Sequence, residues 1–184
     1  MKLPYTDNDA ANELLENEPL AFLIGMLLDQ QIKIEQAFLG PYLLKERLGG
    51  ELVAKAIASM DTEDLVEIFR EKPALHRYPA NMAKRTQVFC DAIATEYGGD
   101  AARVWSEATD GADLNKRLLA LPGFGKGKVS TSIAILGKRL GVTPPGWEKY
   151  APDHMTLADV TSFDDILIYR EHKRQLKADA KAKS

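Results

Sequence analysis

The sequence predicts an all-α protein. Apolar residues recur at helical spacing in several segments, and these segments begin at a proline or a capping acid. No segment shows the sustained alternation of apolar and polar residues, bounded by hairpin turns, that is typical of strands. The 184 residues, 45% of them apolar, suit one sizeable domain or two small lobes that share a core.

The first predicted helix begins at Pro19, since proline suits the first helical position. Apolar residues then follow at helical spacing: Leu20, Leu23, Ile24, Leu27 and Leu28. Phe22 and Met26 make its opposite face apolar as well. We therefore expect a central, buried helix that ends at the polar Asp29-Gln30-Gln31.

Two shorter helices are predicted next. Pro41 is expected to open a helix that runs to Leu48 and stops at Gly49-Gly50. Asp61 is expected to cap another helix, with Asp64 at its third position.

Pro79 starts a longer helix that ends at Gly98-Gly99. Its predicted buried stripe is Met82, Thr86, Phe89 and Ile93. Two further helices, over residues 115–121 and 129–140, flank a glycine-containing turn. A last helix, capped at Ser162, leads into a basic tail, and the stretch from Gly141 to Pro152 is expected to be irregular.

Charge is distributed unevenly along the chain. The formal net charge is −3, yet residues 114–147 contain no carboxylate. The cations in that stretch are Lys116, Arg117, Lys126, Lys128, Lys138 and Arg139. A basic segment on an acidic body is the electrostatic pattern of a site for a polyanion.

The glycine-containing turn is the motif most informative about binding. Gly123 and Gly125 let the chain reverse and bring its backbone close to a partner. Gly127 follows at the start of the next helix. The following helix begins at this turn, so its free N–H groups and positive dipole end point outward beside Lys126 and Lys128. These features predict a phosphate as the partner. The spacing is that of neither a P-loop nor a dinucleotide fingerprint.

The stretch Leu121-Pro122-Gly123-Phe124-Gly125, followed by Lys128 and a helix of small residues, resembles the helix-hairpin-helix of the HhH-GPD superfamily of DNA glycosylases. The Leu27-Leu28-Asp29-Gln30-Gln31 turn, about ninety residues earlier, is similar to a glutamine-bearing turn of that superfamily. The resemblance extends from Pro19 to Gly141. It is strongest to a small bacterial branch, without an iron–sulfur cluster, described as HhH-GPD-type base excision repair proteins.

The resemblance implies a two-lobed helical fold. Residues 19–140 would form a six-helix barrel lobe that contains the helix-hairpin-helix at 115–140. Residues 1–18 and 141–184 would form the second lobe, with the basic C-terminal tail. The implied function is binding of double-stranded, damaged DNA without sequence preference in base excision repair, as a monofunctional DNA N-glycosylase or a divergent damage-recognition relative.

The resemblance also assigns roles to residues. Gly123, Gly125, Lys126, Gly127 and Lys128 would hold the DNA backbone, and an alkali cation would sit at the hairpin carbonyls. Gln31, with Gln30, would approach the base stack beside an everted base. Trp147 and Tyr150 are candidates for a base pocket, with anchoring of the proline-rich loop as the alternative.

Departures from the family bear on catalysis. The family's catalytic carboxylate would fall within Pro144-Pro145-Gly146-Trp147, where no acid exists. We prefer Asp153, which lies beside His154, as the catalytic residue, with Glu148 as the alternative and Asp29 as an acid outside this loop.

Two further departures concern the subclass of glycosylase. The family's Schiff-base lysine corresponds to Gly127, so lyase activity is not expected. Met26 stands where adenine-type members carry a glutamate, which disfavours that subclass.

Two alternative functions stay open. One is a non-catalytic helix-hairpin-helix DNA-binding module that has lost the catalytic carboxylate. The other is an unrelated helical protein whose hairpin binds a different phosphate ligand or a protein.

Little in the sequence indicates a bound cofactor or a membrane-spanning segment. Cys90 is the only cysteine, and the three histidines lack metal-ligand spacing, so no side-chain metal site or iron–sulfur cluster is expected. The longest apolar run, Pro19 to Leu28, is too short to span a bilayer. We expect a cytoplasmic, nucleoid-associated monomer.

Overall fold

The structure, a computed structural model, describes residues 2–182 and contains no β-strand in that range. The α-helices are α1 (Asp9–Asn17), α2 (Pro19–Leu28), α3 (Ile34–Arg47), α4 (Ala54–Ser59), α5 (Thr62–Arg70), α6 (Pro79–Glu96), α7 (Arg103–Ser106), α8 (Gly111–Ala120), α9 (Lys126–Leu140) and α10 (Asp165–Ala182). Two 3₁₀ turns lie at Trp147–Tyr150 and Leu157–Asp159. The predicted all-α class is confirmed.

Helix α2 is the centre of the molecule. Every residue of it from Leu20 to Leu28 is buried, and it packs against α1, α3 and α6. Each fully buried Leu, Ile or Phe side chain contributes roughly 1.5–3 kcal/mol relative to exposure. The prediction of a buried helix that ends before Asp29 is confirmed.

Helix α3 corrects one sequence prediction. Pro41 does not open this helix but lies inside it, seven residues after its start at Ile34. Proline removes one backbone hydrogen bond within a helix. The burial of Ile34, Ala37 and Phe38 against the core offsets that loss, and local sequence rules do not register this burial. The predicted stop is confirmed, since Gly49 and Gly50 both have positive φ.

Helices α4 and α5 pack on α6. The Asp61 side chain accepts hydrogen bonds from the N–H groups of Glu63 and Asp64, which confirms the predicted cap of α5. The predicted stripe of α6 is buried: Met82, Thr86, Phe89 and Ile93. Helices α1, α4 and α7 are not among the predicted elements.

The two helices around the glycine turn start earlier than predicted. Helix α8 begins at Gly111, because the Asp110 side chain caps it by accepting from the N–H of Asp113. Helix α9 begins at Lys126, immediately after the turn. The whole turn is therefore the short segment 121–125.

The C-terminal region returns to the start of the chain. The Tyr5 hydroxyl donates to the Leu157 carbonyl at 2.9 Å, and Arg139 Nε donates to the Lys2 carbonyl at 2.7 Å. Helix α10 begins where the Asp165 carboxylate accepts the N–H groups of Thr161 and Ser162. These contacts hold the N-terminal segment and the loop after α9 against the same core.

Across residues 2–182, no helix is both long and apolar enough to cross a membrane.

Candidate functional site

The turn between α8 and α9 lies against the end of α2. Gly123 has φ +84°, a conformation that favours glycine. A Cβ at this position would also lie 2.5 Å from Leu27 Cδ1. The fold itself therefore requires glycine at position 123, for the turn and for its close approach to α2.

Gly125 and Gly127 differ from Gly123, because the fold does not require them. Both have negative φ, both are exposed, and a Cβ at either would have no described neighbour within 4 Å. Gly125 is the N-cap of α9 and offers no side-chain oxygen to the first N–H groups of that helix. Together they leave an open stretch of backbone with free donors at the positive end of a helix dipole.

Lys128 points inward rather than into solvent. Its Nζ donates to the Leu27 carbonyl at 2.9 Å and to the Met26 carbonyl, and it lies 5.6 Å from the Phe124 ring centre. Burial lowers the pKa of Lys128 to about 8. Lys128 thus ties the start of α9 to the end of α2, which leaves Lys126 as the exposed cation of the turn.

The Gln30 side chain is held in place by other residues. Its Nε2 donates to the Leu27 carbonyl at 2.9 Å, and its Oε1 accepts from Arg85 Nη1 at 3.0 Å. Its backbone carbonyl accepts from Nε2 of the buried His76 at 2.9 Å. Since His76 Nδ1 accepts the N–H of Tyr78, Nε2 carries the proton, and burial lowers the pKa of His76.

Gln31 sits at the tip of this turn. Its side chain is exposed, and its φ is +58°, the left-handed conformation. Across residues 2–182 it is the only non-glycine residue with positive φ. Such a conformation costs of order 1 kcal/mol and often marks a functional turn.

The glycine turn and the glutamine turn are therefore neighbours in space. Gly123 contacts Leu27, Lys128 donates to the carbonyls of the last turn of α2, and Gln30 is bonded to that same turn. The two predicted binding segments, about ninety residues apart in sequence, form one surface.

A cleft of about 400 Å³ opens beside this surface. Its walls are the end of α2, the first turns of α9, the segment 152–156 and α10. The titratable residues that line it are Asp29, Lys128, His154, Tyr169 and Lys173. Asp29 is the single carboxylate among these lining residues.

Asp153 and Glu148 lie outside this cleft lining. The Asp153 side chain is fully exposed, and its contact is His154 Nδ1 at 3.4 Å. Glu148 is exposed on the 3₁₀ turn at Trp147–Tyr150. The catalytic role of either residue stays a prediction.

Trp147 anchors the loop after α9. A Cβ at Gly137 would lie 2.4 Å from the Trp147 ring, so the indole packs directly on α9. Gly137 is ten residues beyond Gly127, roughly 15 Å along the helix. Tyr150 is half-buried against the core nearby. This packing matches the anchoring alternative, and a base pocket at these two residues stays a prediction.

Several cations of the carboxylate-free segment are already occupied. Lys138 pairs with Asp159 at 2.7 Å. Arg117 pairs with Asp113 at 3.0 Å and with Glu107 at 3.4 Å. Lys116 and Lys126 are exposed and form no ion pair with another residue of the described part. The local charge is therefore most available at the hairpin and on α8.

The hairpin carbonyls fit a hard cation by their chemistry. The Leu121 carbonyl accepts the N–H of Phe124 at 3.1 Å, and the Gly125 carbonyl accepts the N–H of Val129 at 2.9 Å. Each such oxygen keeps a second lone pair, and carbonyl oxygens suit hard cations. Within residues 2–182, no group of three or more His, Cys, Asp or Glu side chains could hold a metal ion.

Sequence reasoning missed three residues that shape this site. His76 reads as an isolated histidine, although it fixes the Gln30 backbone. Lys173 reads as part of the basic tail and Tyr169 carries no sequence signal of its own, although both residues line the cleft. Only the helical spacing of Tyr169 and Lys173, i and i+4 on one face, could have signalled that they act together.

No family model, no curated protein and no solved structure matches the chain.

Proposed function

We propose that this protein binds duplex DNA without sequence preference and recognises damaged sites, as a base excision repair protein of the HhH-GPD type. In this proposal, α8, the glycine turn and α9 act as a helix-hairpin-helix. The backbone at Gly125 and Gly127, with Lys126, grips a phosphate, and Gln31 approaches the base stack.

The observation that carries the proposal is that the glycine turn and the glutamine turn lie next to each other. Gly125 and Gly127 have no internal packing reason to be glycine, and Gln31 adopts a strained conformation with an exposed side chain. Both features lie at the end of α2, fastened by Lys128 and Gln30. A phosphate grip beside a protruding glutamine is an arrangement suited to a kinked or unstacked duplex.

The proposed fold is two-lobed, with residues 19–140 as the barrel lobe and residues 1–18 and 141–184 as the second lobe. The cleft beside the hairpin is then the place where an everted nucleotide enters. A cation at the hairpin carbonyls would add positive charge next to the gripped phosphate. The leading activity is monofunctional base release by a DNA N-glycosylase.

A second candidate is a DNA-binding module without catalysis. The exposure of Asp153 and Glu148 favours it, because a general base must reach the reacting atoms. Both candidates predict the same DNA contacts at the hairpin. They differ only in whether a base is released.

Binding to short duplexes of two unrelated sequences, from about 50 to about 300 mM salt, tests the proposal. We expect affinity to fall steeply with salt and to be similar for both sequences. Gly125→Val should weaken binding to both, because its side chain would occupy the phosphate position. Lys126→Ala should flatten the salt slope by about one unit.

Gly125→Val is a clean variant because its φ of −89° suits valine and the space around it is open. Gly137→Ala cannot serve as a control, because its added Cβ would clash with Trp147. Lys138→Ala can serve as the control, because Lys138 is a cation of the same helix that already pairs with Asp159. Unchanged affinity in a folded Gly125→Val protein would remove the hairpin from the site.

A further inference from the structure

We propose that Asp29 is the catalytic carboxylate of this protein, acting on the nucleotide that the cleft beside α9 receives. This inference rests on the proposed function and replaces the loop acids as the source of the chemistry. In this proposal Asp29, the residue at the end of α2, acts as the general base.

The position of Asp29 carries the inference. It is the C-cap of α2, directly before Gln30 and Gln31, and it lines the cleft together with residues of the segment 152–156. It is the carboxylate among the cleft's lining residues, whereas Asp153 is fully exposed outside. A nucleotide that leaves the stack beside Gln31 and enters this cleft would have Asp29 as the carboxylate of the cleft lining.

Charged groups surround Asp29 in the cleft. Burial lowers the pKa of Lys128 and the Asp29 carboxylate opposes that shift, whereas burial and, to a smaller extent, Asp29 raise the pKa of Tyr169 to about 12. Lys128 and Lys173 line the same cleft. Two cations beside one carboxylate offset its repulsion of the DNA phosphates.

The chemistry needs only water as co-reactant. The bond between C1′ and the base nitrogen breaks, and its electron pair leaves with the base. The ionised Asp29 takes a proton from a water molecule while the water oxygen bonds to C1′, which gives an abasic sugar. The proton is then passed to the released base, so atoms and charge balance.

Base release from duplexes that each carry one modified base, developed with alkali, tests the inference. We expect Asp29→Asn to lower the rate by about 10²- to 10⁴-fold, the usual contribution of a general base. Asp91→Asn is the matched control, because it removes an exposed carboxylate on α6 that has no part in the proposed site. We expect it to release base at the wild-type rate. Asp153→Asn and Glu148→Gln test the competing assignment of the catalytic role to the loop acids.

The outcomes separate this inference from the proposed function. Loss of release in Asp153→Asn or Glu148→Gln, with release kept in Asp29→Asn, overturns the role of Asp29 and leaves a glycosylase. Absence of release by the wild type from every duplex also overturns it, while salt-dependent DNA binding decides the proposed function separately.

A second measurement checks the geometry without activity. Asp29→Asn removes the negative charge near Lys128, so the pKa of Lys128 should fall further below about 8. The pH dependence of amine labelling at Lys128 reports this shift, and Asp153→Asn should leave it unchanged. An unchanged Lys128 pKa in a folded Asp29→Asn protein would show that Asp29 faces away from the cleft.

Discussion

Gln31 combines a strained backbone with a side chain that contributes little to the core. Replacement by glycine removes the strain, so Gln31→Gly should raise the free energy of unfolding by up to about 1 kcal/mol. Gln31→Ala removes the same side chain and keeps the strain, so it should leave stability near that of the wild type. Chemical denaturation of the two variants measures the difference.

The same pair of variants tests function at this residue. Both should lose preference for abasic over intact duplex, because neither can fill the space of an everted base. A stability gain in Gln31→Gly without loss of preference would show that the strain is unrelated to DNA.

His76 makes the glutamine turn sensitive to acid. Its pKa is lowered in the folded state by burial, so the unfolded chain binds the proton more readily. The contribution of His76 to the free energy of unfolding is therefore fully present above the unfolded pKa of about 6.5, and it is lost as the pH falls below that value. Melting temperatures of the wild type against His76→Gln, at about pH 5 and about pH 7.5, measure this contribution.

His154 supplies the control for that measurement. It is exposed, so His154→Gln should keep the acid sensitivity of the wild type. If His76→Gln and the wild type lost stability in parallel on acidification, another group would be responsible.

Among the helices, the link between α9 and α2 depends on Lys128. Lys128 has a folded-state pKa of about 8, against about 10.5 when unfolded, so the unfolded chain binds more protons between these values. Stability relative to Lys128→Met should therefore rise with pH, by about 2 kcal/mol between about pH 7.5 and about pH 9.5. The two proteins differ only at residue 128, so the difference between them reports Lys128.

Denaturation curves of the two proteins over that range provide the check. A flat difference would mean that the Lys128 amine is solvated rather than buried. A difference that falls with pH would mean that the α2 carbonyls favour the ammonium form more than burial disfavours it.

Helices α2 and α6 could be predicted because their apolar periodicity and proline starts are local signals. The start of α3 could not, since the burial that offsets Pro41 depends on α2. The same reason applies at the site. Gly123, Gly125 and Gln31 were found from local pattern, whereas the inward direction of Lys128 depends on carbonyls a hundred residues away.

In the whole molecule, the cleft is formed by segments that are far apart in sequence, and no local sequence pattern indicates that these segments meet. Asp29 belongs to the end of α2, and Tyr169 and Lys173 belong to the last helix. Arg170 pairs with Glu35, which holds α10 against α3. Sequence reasoning placed the acid in the loop after α9 because that loop follows the hairpin, whereas the fold leaves Asp153 in solvent.

The central claim is that the glycine turn and the glutamine turn form one DNA-binding surface with separate tasks. The most direct test is the affinity of the wild type, Gly125→Val and Gln31→Gly for one duplex, intact or with a single abasic site, at fixed salt. We expect Gly125→Val to weaken binding to both duplexes by the same factor, and Gln31→Gly to weaken binding to the abasic duplex alone. Equal affinity of all three proteins for both duplexes would contradict the central claim.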